Sequence, residues 1–236
     1  MKNPRDSRIE QILDRQARLW ESEKIAYPHA EPAVRPNLTL SQRPFSGAEE
    51  LAERLAQKLG WELYDRQIVE ALHEDDSLGK SVLEALDQRL LGFREDWVYH
   101  LFVPGHTSTT AYVHRLSQLV FSIAMRGHNV FLGRGATFIV PREWRVSVLL
   151  TRSLESRAAR CSQQSGLGRD AARHELANLD RTRAEFVSRG FHRIVDDPAS
   201  HDLCINLDSF GLDEAMEIVL AALAAHFPNV TFPPRA

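Results

Sequence analysis

Cysteine is nearly absent from this chain. Cys161 and Cys204 are the two among 236 residues, with no CxxC and no metal-ligand spacing. A disulfide framework is therefore excluded, and a reducing compartment is the natural setting. Lysine is scarce too: none follows Lys80, and 25 of the 29 basic residues are arginine. No stretch approaches the roughly 18 apolar residues that a membrane-spanning helix needs. The opening MKNPRDSRIE lacks the apolar core of a secretory signal, so a soluble, cytoplasmic protein without a membrane partner is expected. A net charge of −3 gives no overall basic surface for nucleic acid. What is present is ordinary: 43% apolar and 26% charged residues, the balance of a globular protein rather than a disordered one.

The arginines are unevenly spread. Between Arg134 and Arg193 there are twelve arginines against six acidic residues. Arginine presents a planar fork that matches phosphate oxygens two at a time, where lysine offers a point charge. The same bias also fits solvated helix faces in an arginine-preferring composition. No stacking-aromatic platform accompanies the charge, which argues against an RNA-contacting role.

Residues 1–35 read as an appendage. Ile9, Ile12, Leu13, Ala17 and Leu19 recur at near-helical spacing, and Tyr27-Pro28 to Pro36 reads as an extended linker. This helix could pack on the body, pair with a second copy or dock a protein partner. From Asn37 short apolar runs alternate with helical stretches. Strands are expected at Leu38–Ser41, Trp61–Tyr64, His128–Leu132, Arg145–Leu150 and Asp202–Leu207. Helices are expected at Ser46–Leu59, from Asp65, at Ser81–Leu101, Ala111–Arg126, Leu154–Cys161, Arg169–Arg189 and Leu212–Ala225. That alternation predicts an α/β domain, a mostly parallel sheet flanked by helices. It spans 36–228, with a tail at 229–236. His100, His106 and His114 share a region without metal-site spacing, and no metal site is expected.

In such sheets ligands bind beyond the carboxyl ends of the strands. The first strand-to-helix turn is Ser41-Gln42-Arg43-Pro44-Phe45-Ser46-Gly47-Ala48-Glu49. A phosphate-binding loop there needs glycines, so that backbone N–H groups can wrap the ligand, and a cation to neutralise it. Tested as GxxxxGK[ST] on Gly47, the remaining signature positions hold Gln42, Ala48 and Glu49. Taken alone, this is an ordinary βα turn.

Several segments in order nevertheless resemble the cytidylate-kinase-like family, a P-loop kinase-like group whose first turn reads ISRxxGSGGREIA before a helix ending in KLG. Here Leu40 to Ala52 stands in that place, followed by Lys58-Leu59-Gly60. Leu63-Tyr64-Asp65 resembles its fYD element, and Leu132-Gly133-Arg134-Gly135 its VGRG. Glu155 to Arg160 resembles its ERVxRI, Asp180 to Phe186 its lid motif, and Asp197 to Asn206 with Asp213 to Ile218 its terminal segment. The resemblance covers about residues 37 to 225.

The resemblance implies a P-loop-type fold with a helical lid, and transfer of a phosphoryl group from ATP, with Mg²⁺, to a nucleoside monophosphate such as CMP. Carried across by position, Ser46 and Gly47 would meet donor phosphates through backbone N–H, with Arg43 beside them. Arg134 would face acceptor phosphate, and Asp65 the substrate. Arg157, Arg160 and Arg183 would close over the transferring group, and Asp180 would orient a lid arginine. Each has a plainer reading: Arg157 and Arg160 as a solvated face, Asp180 and Arg183 as an i, i+3 pair, Asp65 as a helix cap.

The departures from the pattern concentrate in the loop. Phe45 and Ala48 replace glycines, and Glu49 stands where the family has arginine. At roughly 4 Å and an effective dielectric near 20, that reversal turns attraction into about 4 kcal/mol of repulsion toward a phosphate, before solvent relief. The rival reading is thus an inactive pseudokinase, a nucleotide sensor or protein-binding scaffold on the same fold.

Overall fold

The computed structural model describes residues 35–65 and 108–232. The expected helices at 1–35, from Asp65 and at Ser81–Leu101, together with His100 and His106, lie outside the described residues, apart from Arg35 and Asp65 themselves. Five strands form one sheet: β1 (Asn37–Gln42), β2 (Glu62–Tyr64), β3 (Asn129–Leu132), β4 (Arg145–Thr151) and β5 (Leu203–Asn206). Their order is β2-β3-β1-β4-β5, and every pair is parallel. Parallel strands need crossovers, which place helices over both faces.

One face is covered by α1 (Ala48–Leu59) and α6 (Leu212–His226). Leu51, Leu55 and Leu59 recur every four residues along α1. They meet Leu38, Leu40, Val130, Val146 and Val148 of the sheet, and Val219 and Leu223 of α6. Burial of each such side chain stabilises by about 1.5–3 kcal/mol. The opposite face is covered by α2 (Ser108–Ala124) and the single-turn α3 (Ala136–Ile139), through Leu116, Val120, Phe121 and Ile139. Tyr64 and Phe131 stack across β2 and β3 at 5.5 Å on that side. Phe232 and Val230 fold back against the α1 side, so the described part of the expected tail lies on the body.

Two helices stand beyond the carboxyl edge of the sheet: α4 (Leu154–Ser165) and α5 (Arg169–Phe191). They occupy the place of the expected lid. Ser153 caps α4 by accepting the Ser156 N–H at 3.3 Å. Between them they bury a small cluster of Ala158, Cys161, Ala172 and Leu176. Helix α1 begins at Ala48 rather than Ser46, because Gly47 at φ 92° is left-handed and outside the helix.

Candidate functional site

Strand order reverses at β1: β3 and β2 lie to one side, β4 and β5 to the other. The crevice at such a reversal is where open α/β sheets take ligands. The β1–α1 turn, Arg43 to Gly47, sits there. Ser46 N–H donates to Arg43 O at 3.1 Å, closing a tight turn. Ser46, Gly47 and Ala48 are buried, and no side chain caps α1. The leading N–H groups of α1 are thus left for another acceptor.

Phe45 adopts φ 62°, left-handed backbone that costs a non-glycine residue about 1–2 kcal/mol. This is the position where the resembled motif has glycine. The ring does not fill the loop. It packs against Ala158, Cys161, Ala172 and Leu176, anchoring the turn to α4 and α5. Glu49 is exposed and accepts from Gln42 Nε2 at 2.8 Å, bracing the outer lip of the turn. Its solvent exposure relieves much of the repulsion expected from the sequence.

Three of the expected arginines, Arg157 and Arg160 of α4 and Arg183 of α5, reach this turn or the end of β1, where Arg43 already stands. Arg157 of α4 is 1% exposed. It donates to both oxygens of Asp180 on α5, at 2.9 and 2.7 Å, and to Pro44 O at 3.3 Å. Its two terminal nitrogens join the turn to both lid helices, while its Nε is buried without an acceptor. Asp180 thus pairs with Arg157, and Arg183, its i, i+3 neighbour, pairs elsewhere. Arg183 donates to Asp196 at 2.6 Å and to Ser41 Oγ at 3.0 Å. Arg43 reaches the other oxygen of Asp196 at 2.9 Å. Burial raises the Asp196 pKa, but the Arg183 hydrogen bond and the charges of Arg183 and Arg43 outweigh it and hold the carboxyl below its ordinary value.

Arg160 is different. Its guanidinium lies against Gly47, where an added Cβ would stand 3.2 Å from Nη2. Among the described residues no carboxylate pairs with it, and its Nε is buried without an acceptor. Next to it, Arg152 is lowered in pKa by burial and then by the charge of Arg160, with Asp208 opposing. Arg152 is held by Leu207 O and Asp208, whereas Arg160, repelled by it and set against Gly47 at the uncapped start of α1, forms a site that an anion would relieve.

Arg134 sits on the β3–α3 turn, where Gly133, Arg134 and Gly135 take φ of 76°, 53° and 71°. Its guanidinium lies 5.8 Å from the centre of the Phe186 ring of α5, a cation–π distance. A Cβ at Gly135 would come within 2.2 Å of Phe191, so only glycine lets α5 close on this turn. Asp65 lies at the carboxyl end of β2, at the sheet's edge, with β3 between it and β1. His114 on α2 meets Gln118 at 3.1 Å instead of joining a site. No group of acidic, histidine or cysteine side chains able to hold a metal occurs among the described residues, nor any helix long and apolar enough to cross a membrane.

Sequence reasoning missed Arg152, Asp196, Asp208 and Phe186. Arg152 had a signal, since it directly follows the carboxyl end of β4. Asp196 and Asp208 did not: their partners lie far along the chain.

Comparison with known proteins bears on the family and the fold. The profile of the cytidylate kinase-like family matches residues 37–209. No curated protein matches the chain in sequence. Among solved structures, a protein from Eubacterium ventriosum aligns with TM-score 0.64 at 16% identity, over 82% of this chain and 99% of its own. A shikimate kinase from Bacteroides thetaiotaomicron aligns with TM-score 0.46 at 14% identity, over 79% and 97%. A gluconokinase from Sinorhizobium meliloti aligns with TM-score 0.43 at 15% identity, over 83% and 95%.

Proposed function

The chain belongs to the cytidylate kinase-like family, and from that premise we propose that it binds a nucleotide in the β1 crevice and transfers a phosphoryl group from ATP to a nucleoside monophosphate such as CMP. One observation carries the reading: Arg160 lies over Gly47 with no carboxylate partner among the described residues. A phosphate-binding loop needs a cation, and this turn has none of its own at Ala48 or Glu49. Helix α4 supplies one from the lid side instead. Donor phosphates then accept from the N–H groups at Gly47 and from Arg160. With no carboxylate cluster gathered for a metal among the described residues, Mg²⁺ would be carried by ATP and would offset the negative charge of its phosphates. Arg134, on the neighbouring strand end, faces the acceptor phosphate.

A thermal-shift titration tests this, with Mg²⁺-ATP and CMP run separately and a turnover assay to follow. Ligand that binds only the folded state at a hundred times its dissociation constant adds about 2.7 kcal/mol of stability. Shifts with both ligands, and ADP formed only with CMP present, are the expected result. No shift with any nucleotide would sink the reading.

Glu49 favours a second reading. It places a carboxylate in the first turn of α1, where the resembled motif has arginine. On this reading the chain is a pseudokinase, a nucleotide sensor or a scaffold for a protein partner. A shift with CMP and none with ATP supports it. Glu49→Arg separates the two further: a gain of ATP binding on that substitution alone marks a donor site that was present and electrostatically closed.

A further inference from the structure

The ion pairs around the turn are of two kinds. Arg157 and Asp180 meet fork to fork, and the arginine is buried. Such a pair is a fixed brace, because removing Asp180 would strand a buried guanidinium. Asp196 is held otherwise. One oxygen takes Arg183 at 2.6 Å and the other takes Arg43 at 2.9 Å, so neither guanidinium meets the carboxylate through both of its terminal nitrogens. The carboxylate stands on the turn that follows α5, as open to solvent as Asp180, so the difference lies in its arginines, which are 38% and 18% exposed where Arg157 is 1%. Its neighbour Ile194 is 74% exposed. Two arginines against one carboxylate leave a net positive charge at the carboxyl end of β1. The donors come from both sides: Arg43 from the turn, Arg183 from the lid. Ser41 Oγ, at 3.0 Å from Arg183, completes the group.

We propose that Arg43, Arg183 and the Ser41 hydroxyl form a second phosphoryl subsite, and that the Asp196 carboxylate fills it until a phosphate monoester displaces it. A phosphate dianion has three oxygens and twice the charge, so it accepts from both forks and the hydroxyl together, which a carboxylate cannot. The subsite stands at the β1 end of the same short turn whose α1 end carries Gly47, with Arg160 against it. A phosphoryl transfer needs two phosphates held side by side. The nucleotide identity of the ligand rests on the function proposed above; the anion subsite itself does not.

The test is isothermal titration of the full chain with inorganic phosphate, at constant ionic strength, for wild type and Asp196→Asn. Removing the competing carboxylate charge is expected to tighten phosphate binding about tenfold, the scale of one charge-assisted contact. Arg43→Ala added to Asp196→Asn is expected to abolish the gain. Unchanged or weaker binding in folded Asp196→Asn would overturn the proposal and make Asp196 an orienting group. Should that variant not fold, the carboxyl ¹³C resonance of Asp196 in the wild type decides. Movement on phosphate addition supports displacement, and an unmoved signal refutes it. A phosphate gain without any nucleotide binding keeps the subsite and removes the kinase reading. Nucleotide binding without the gain does the reverse.

Discussion

At the amide ends of the central strands, Asn37, Asn129 and Arg145 stand side by side in register; the two asparagines serve the backbone, and Arg145 donates to Thr137 O and lies 3.8 Å from Asp202. Asn37 Nδ2 donates to carbonyls of Arg35, Ala124 and Trp144. Asn129 Nδ2 donates to Asn37 Oδ1 and to the carbonyls of Ile123 and Gly127. At the carboxyl ends the polar groups are arginines held by aspartates that come from other elements: Asp180, Asp196 and Asp208. Strain does not separate the two ends, since left-handed non-glycine residues occur at both, His128 at one and Phe45 and Arg134 at the other. The kind of partner does. Amides that satisfy carbonyls have no second use, whereas guanidiniums that share one partly exposed carboxylate, as Arg43 and Arg183 share Asp196, can be handed to a phosphate.

The sharpest way to break this contrast is to damage the amide end and look for an effect on ligands. Asn129→Ala removes three hydrogen bonds at a buried position and should cost about 3 kcal/mol. Urea denaturation measures the loss, and nucleotide affinity of the folded fraction should be unchanged. A ligand effect of comparable size would mean that the two ends are not independent. The converse variant is Arg160→Ala. With no ion pair to break, it should leave stability within about 0.5 kcal/mol of wild type. Mg²⁺-ATP binding should weaken about tenfold, near 1.4 kcal/mol. Unchanged ATP affinity would remove Arg160 from the site.

Phe45 belongs to the carboxyl end yet is held by packing, so it tests whether that end is also structural. Phe45→Ala loses the ring contact with α4 and α5 and keeps the left-handed backbone. Phe45→Gly loses the same contact and relieves the backbone. Glycine should therefore be the more stable of the two by about 1 kcal/mol. Equal stabilities would place Phe45 outside left-handed backbone in solution.

How much of this was legible in the sequence follows from where each partner lies. The strand expected at Leu38–Ser41 forms as Asn37–Gln42, and that expected at Arg145–Leu150 as Arg145–Thr151, because short apolar runs between turn residues carry their own signal. The single turn Ala136–Ile139 was not legible, since four residues show no helical period. Within the site, Gly47, Arg134 and the lid arginines were readable as residues, but their partners were not. Asp180 and Arg183 sit three apart and suggest each other. Tertiary packing instead gives Asp180 to Arg157 and Arg183 to Asp196. Spacing also shows nothing of Phe45 turning its ring to the lid, because that depends on a backbone angle.

The smallest effect expected is one of pH, and it sets Asp202 at the amide end against the site aspartates. Burial raises the Asp202 pKa, but the hydroxyl and N–H of Ser147, then the charges of Arg145 and Arg142, outweigh it and hold the carboxyl below its ordinary value. A carboxyl depressed on folding stabilises the native state above its unfolded value, about pH 4, and that contribution disappears as the pH falls through the lower folded value. Asp202→Asn should therefore cost on the order of 0.5 kcal/mol at neutral pH, since both ion pairs are long and partly solvated. The difference from wild type should shrink below about pH 4, measured by urea denaturation at stepped pH. Phosphate added at neutral pH should leave this gap as it is, because no ligand takes the place of Asp202. At Asp196 the same depressed carboxyl has a competitor. There, phosphate should narrow the stability difference between wild type and the asparagine variant or reverse it. If both positions respond alike to phosphate, the division between a backbone-serving end and a ligand-serving end fails.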